Sequence, residues 1–156
     1  MRISGTSGDP TLYVVKKSLT AFHLEDERAD ACLLRTLITE LPGYSVSLHQ
    51  FSDGPALLAA LDARPPQTVP YLLLLDLHVP GFSGLEVLAV LEQRSYCNWL
   101  VCHLLTGDEF LSGELVAHRP ALRGVYFKPV ELSGWDHLLT EIFEDFLGHQ
   151  LSLRCP

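Results

Sequence analysis

Tyr71–Leu88, YLLLLDLHVPGFSGLEVL, decides the fold. Its opening residues, Tyr71–Leu75, are apolar without alternation, as in a central strand buried on both faces. The run ends on a carboxylate, Asp76. Pro80-Gly81 then turns the chain, and Ser83 opens a helix that continues to about Gln93. A strand, a polar tip and a helix in quick succession form the repeating unit of a sheet covered by helices.

The same unit recurs on either side. Upstream, Leu19–Leu24 reads as a buried strand ending in Glu25-Asp26. Ala29–Leu41 follows as a helix with Ala29, Leu33, Leu34, Leu37, Ile38 and Leu41 on one stripe, stopped by Pro42-Gly43. Tyr44–Phe51 alternates, with Val46 and Leu48 facing one way, as a strand at a sheet edge would. Ser52 or Asp53 caps a helix from Pro55 to about Ala63, and a proline-punctuated loop, Arg64–Pro70, leads into Tyr71. Downstream, Trp99–Leu105 is a fourth buried strand ending at Thr106, with a short helix expected within Phe110–His118. Gly124–Phe127 is a fifth strand, closed by Lys128-Pro129, and Ser133 caps a last helix to about Leu147. Strands alternating with helices predict a parallel sheet covered on both faces, a doubly wound α/β fold.

Composition narrows the function classes. The chain has 156 residues, enough for one well-packed domain, and 47% of them are apolar. We divide it into an N-terminal extension over 1–17, a domain over 18–150 and a short tail over 151–156. The formal charge is −8, from 19 acidic and 11 basic residues. That field opposes binding to nucleic acid, and no basic block or zinc-finger spacing offsets it. Cys32, Cys97, Cys102 and Cys155 contain no CxxC pair and read as small buried apolar residues, with one at the tail. No stretch approaches the roughly 20 apolar residues of a membrane span, and Met1–Lys17 lacks a signal-peptide layout. A cytoplasmic protein is expected.

Glu25, Asp26, Asp76, Thr106 and Lys128 each stand at the end of an apolar run. In a parallel sheet the strands end together, so all five would reach one edge, where open α/β folds build their sites. Carboxylates, a hydroxyl and an ammonium group can together hold a divalent cation and a phosphoryl group. Taken singly, each has a plainer explanation: a helix N-terminal charge for Glu25-Asp26, a turn for Asp76, a helix cap for Thr106, a surface charge for Lys128. Coincidence of all five on one strand–helix alternation is what carries the functional expectation. His23 and His103, inside strands, are expected to be satisfied or partly buried residues and not ligands.

From about Leu19 to Leu147 the sequence resembles the receiver domain of bacterial two-component response regulators. The resemblance rests on LEDE, LLLLDLHVPGFSGLEVL, LLTGDE and VYFKPV in that order, with the family's usual gaps from Asp76 to Thr106 and on to Lys128. It implies a flavodoxin-like sheet of order 2-1-3-4-5. It also implies that Asp76 is the phosphoacceptor, its carboxylate attacking phosphorus to give an acyl phosphate. Mg²⁺ would be held directly by Asp26 and Asp76, through water by Glu25, and by the His78 backbone carbonyl. Thr106 and Lys128 would each engage a phosphoryl oxygen. Gly107 would leave room for the group, and a cis Lys128-Pro129 bond would aim the lysine inward. His78 and Asp108 stand where the family varies residues along the route of attacking water. Val125 departs from the pattern, which has an aromatic there, and Tyr126 beside it is a candidate for that role.

By the same resemblance the donor is a sensor histidine kinase, and EDERADACLLRTL points toward the small regulators paired with bacterial phytochromes. A stand-alone receiver would act by binding another protein, without being an enzyme itself. Three other classes compete. A receiver-fold adaptor would bind partners without phosphorylation. A phosphatase with an Asp nucleophile would usually carry a second Asp two residues on, where this chain has His78. A flavin module would need a phosphate-cradling loop where EDERAD is acidic. In the last helix Trp135, Leu138, Leu139, Ile142, Phe143, Phe146 and Leu147 span roughly 180°, against the ~100° of a core-facing stripe. The surplus, chiefly Phe143, Leu147 and Leu138, predicts a homodimer through this helix, unless Thr11–Val15 covers it.

Overall fold

A computed structural model describes residues 15–64, 70–108, 113, 117 and 119–154. In chain order the elements are β1 (Lys17–Leu24), α1 (Arg28–Glu40), β2 (Tyr44–Phe51), α2 (Gly54–Asp62), β3 (Tyr71–Asp76), α3 (Gly84–Leu91), β4 (Leu100–Thr106), β5 (Leu122–Phe127) and α4 (Leu132–Arg154). The five strands form one sheet of order β2-β1-β3-β4-β5, and every neighbouring pair is parallel. This is the doubly wound α/β architecture and the strand order that the sequence implied.

All residues of β3 and β4 are buried, which explains why both read as unbroken apolar runs. One core lies on the α2–α3 face, where Phe22, Leu24, Leu73 and Leu75 meet Leu57, Leu61, Val87 and Leu88. The other lies on the α1–α4 face, where Leu72, Leu74, Val101 and Leu105 meet Leu34, Ile38, Leu139 and Ile142. Helix starts follow local chemistry. The Asp53 side chain accepts from the Ala56 N–H ahead of α2, and Ser83 with Glu86 forms a capping box at α3. Gly84 permits the tightest packing near the site. A Cβ there would collide with the Asp76 carbonyl oxygen, so this glycine lets α3 begin directly against the end of β3.

Three expectations about the last helix need correction. It opens at Leu132, so Ser133 lies inside its first turn and is not its cap. It does not stop near Leu147 but continues to Arg154, because Gly148 alone weakens a helix without ending it. The segment 151–154, expected as tail, is helical. Its apolar arc is also not in surplus. Phe143 is 0% exposed and Leu138 8%, and the Phe143 ring packs edge-on against Tyr44 with centroids 5.2 Å apart. Leu33, Leu37, Tyr44, Val46 and Leu48 close over this core from α1 and β2. Phe143 and Leu138 are therefore buried within one chain while Leu147 stays partly exposed, so two of the three side chains from which a dimer was expected are not free to form one. Most of the helix expected within Phe110–His118 lies outside the described residues. So do Thr11–Val14, residues 65–69 of the proline loop, and Cys155. Of the other cysteines, all free and all expected buried, Cys102 is buried and Cys97 partly so, but Cys32 is exposed on α1.

Candidate functional site

The strand ends bring the expected residues to one edge of the sheet. Glu25 and Asp26 follow β1, Asp76 ends β3, Thr106 ends β4, and Lys128 directly follows β5. Two backbone bonds extend the ladder past the strands and fix this edge: Leu77 N–H to Leu105 O at 3.1 Å, and Lys128 N–H to Thr106 O at 2.7 Å. The second one presents the lysine to the site. The Lys128-Pro129 bond is not cis, since no cis peptide occurs among the described residues. The ladder bond orients Lys128 without it.

Carboxylate oxygens of Glu25, Asp26 and Asp76 lie within 4.8 Å of one another, with Glu25 and Asp76 buried and Asp26 exposed. Lys128 Nζ reaches into this cluster, 2.6 Å from Glu25 Oε2 and 2.9 Å from Asp76 Oδ2. Its third partner is Asp30 Oδ2 at 3.1 Å, from the first turn of α1. The sequence reading missed Asp30. Its one signal is the spacing, a single helical turn beyond Asp26, which also fits an ordinary helix N-terminal charge.

The electrostatics follow from burial and these contacts. Burial pushes the Glu25 carboxyl up to about 7, against the hydrogen bonds it accepts from Lys128 and from the Glu27 N–H. Burial also works against a charged Lys128. Its bonds to Glu25, Asp76 and Asp30 outweigh that, and its pKa lies above the ordinary lysine value. Three carboxylates thus share one ammonium, and Asp26 lies beside them. The donor set is all oxygen, partly exposed, and negatively charged in excess, which suits a hard divalent cation such as Mg²⁺.

The remaining residues ring this centre. The His78 N–H donates to Asp76 Oδ1 at 3.1 Å, so the turn after β3 helps orient the carboxylate. Thr106 is fully buried, and its Oγ1 accepts from the Asp108 N–H at 2.9 Å. His78 Nε2 stands 3.4 Å from Asp108 Oδ2, an exposed pair linking the two loops. An added Cβ at Gly107 would meet nothing within 4 Å, in keeping with the room expected beside Thr106. Val125 packs on the α2–α3 core, and Tyr126 on the opposite one, its ring 5.5 Å from that of His103.

Both strand histidines are buried more completely than expected, and they differ in how far they are hydrogen-bonded. His23 is buried, with Nδ1 3.2 Å from Gln50 Nε2, but its Nε2 has no partner. His103 is 0% exposed and neither ring nitrogen is hydrogen-bonded. Its Nε2 lies 3.7 Å from Asp145 Oδ2, beyond bonding distance. Burial keeps both imidazoles neutral, helped at His23 by the charge of Lys128. Burial lowers His103 to about 4 and His23 to about 3.

No protein-family model and no curated protein matches the sequence. Solved structures do match. The signal receiver domain of an HD domain-containing protein from Pseudomonas fluorescens Pf-5 is 22% identical over 87% of this chain and 99% of its own, with a TM-score of 0.65. The phosphorylated cyanobacterial phytochrome response regulator RcpA is 23% identical over 84% of this chain and 95% of its own, TM-score 0.66. The Mn²⁺-bound response regulator Rcp1 is 23% identical over 80% and 91%, TM-score 0.64. The chain has the fold of response-regulator receiver domains.

Proposed function

We propose that this chain is a phosphoacceptor response regulator of a two-component system, with Asp76 as the residue that takes the phosphoryl group. The observation that carries this is Lys128 Nζ bridging Glu25 and Asp76 across the ends of three strands, with Asp26 in the same cluster. An Asp nucleophile, a cation-holding acidic pair, a hydroxyl and an ammonium are the parts that phosphoryl transfer needs.

In the proposed reaction a carboxylate oxygen of Asp76 attacks phosphorus of a phosphohistidine on a sensor histidine kinase. The P–O bond forms as the P–N bond breaks, and the electron pair returns to the departing imidazole nitrogen. Asp26 and Asp76 would hold Mg²⁺ directly, Glu25 through water and His78 through its backbone carbonyl, and the ion would supply charge neutralisation for the phosphoryl oxygens. Thr106 donates its hydroxyl to one of those oxygens and Lys128 its ammonium to another. The His78–Asp108 pair borders the route of attacking water and sets how long the acyl phosphate persists. Likeness to RcpA and Rcp1 supports a phytochrome-type kinase as the donor. The output is altered binding to a partner protein in the cytoplasm, where such kinases present their phosphohistidine. Among the described residues no helix is long and apolar enough to cross a membrane.

The test is incubation with acetyl phosphate and Mg²⁺ followed by intact mass measurement. One added phosphoryl group is expected in the wild type and none in Asp76→Asn. Unchanged labelling of Asp76→Asn would falsify the assignment.

A further inference from the structure

Building on the phosphoacceptor reading, we propose that Asp30 is a positioning residue that occupies one proton of Lys128 and must give it up before the ammonium can hold a phosphoryl group. A lysine ammonium has three N–H donors and no acceptor. Here all three are engaged by separate carboxylates, Glu25 at 2.6 Å, Asp76 at 2.9 Å and Asp30 at 3.1 Å. No donor remains for a phosphoryl oxygen, so phosphorylation requires an exchange.

The exchange falls on Asp30. The Glu25 side chain is 2% exposed, and releasing it would leave a buried carboxylate without its cation. Asp76 is the attacking group, and its own oxygen becomes the bridge to phosphorus. Asp30 makes the longest of the three contacts and its side chain is 42% exposed, so water replaces the lysine there at little cost. Asp30 also adds a negative charge beside a centre that must admit an anionic phosphodonor. On both counts it retards phosphoryl transfer and holds the lysine ready beforehand.

Two measurements test this. The first is the initial rate of labelling by acetyl phosphate at fixed Mg²⁺. The second is solvent exchange of the Lys128 Nζ protons by ¹⁵N NMR without metal or donor. Asp30→Ala should label about fivefold faster, the scale of one partly exposed ion pair removed. Its Nζ protons should exchange faster than those of the wild type, and Asp30→Glu should return both readings toward wild type. A wild type that labels, with Asp30→Ala labelling no faster, overturns this role and leaves the phosphoacceptor reading standing. Nζ exchange unaltered by Asp30→Ala overturns it as well. A wild type that takes up no phosphoryl group removes both.

Discussion

Side by side at the end of β1, Glu25 is buried and Asp26 exposed, and the two should answer differently to removal. Asp26 can meet a cation with its waters attached, whereas Glu25 is already committed to Lys128 and the Glu27 N–H. Asp26→Ala should abolish Mg²⁺ binding in an NMR titration, and Glu25→Gln should weaken it less. Equal affinity in wild type and Asp26→Ala would place the ion elsewhere. His103 supplies a pH dependence with a definite sign. Its folded-state pKa of about 4 lies below the ordinary 6.5, so the unfolded chain binds the proton first and stability falls with pH through that window. The loss from this group by pH 4.5 should be on the order of 2 kcal/mol. Glu25 acts oppositely: raised to about 7 from 4.5, it lowers stability as pH rises through that range. Urea unfolding of wild type and His103→Asn at pH 7 and 4.5 isolates the histidine, and equal acid losses in the two would refute it. Asp76, Thr106 and Lys128 were legible because each ends an apolar run. The unpaired nitrogens of His103 and the Asp30 contact were not, since periodicity reports which way a side chain points and not what it meets.

Among the elements, α4 shows where reading by stripe width fails. The ~100° stripe describes a helix resting on one surface. Here α4 lies over β1, β3 and β4 with α1 and the Tyr44 end of β2 beside it, so a wider arc is buried within one chain. Phe143→Glu should therefore destabilise the domain by at least about 3 kcal/mol in urea unfolding, since it places a carboxylate in a fully buried ring's position. Unchanged stability in that variant would mean the ring is exposed after all. The start of α3 was legible from Ser83, while its partner Glu86 emerged only in the structure. Ser83 and Glu86 stand three apart, the spacing of a capping box, and both of its hydrogen bonds form. Ser83→Ala should cost about 1 kcal/mol. Because α3 begins against the Asp76 carbonyl, a loosened start should also show in the Asp76 and Leu77 amide shifts.

At the scale of the molecule, the acidic cluster joins residues remote in sequence. Lys128 and Glu25 are 103 positions apart, Lys128 and Asp76 52 apart. The order of synthesis then matters. Glu25, Asp26 and Asp76 belong to strands that pair directly, β1 with β3, while the ammonium that joins them arrives after β5. A nascent or refolding chain that has paired β1 with β3 but not yet added β5 holds these like charges together without Lys128. Closing that gap early is a matter of counter-ions. Millimolar Mg²⁺ should accelerate refolding of the wild type in stopped-flow fluorescence and do so far less for Asp26→Ala. Identical acceleration in both would mean the cluster assembles only after its lysine is in place. On the proposed reading, the edge that would take the phosphoryl group is also the one completed by the last strand, and a cell short of divalent cations would meet the cost at the ribosome, before any kinase.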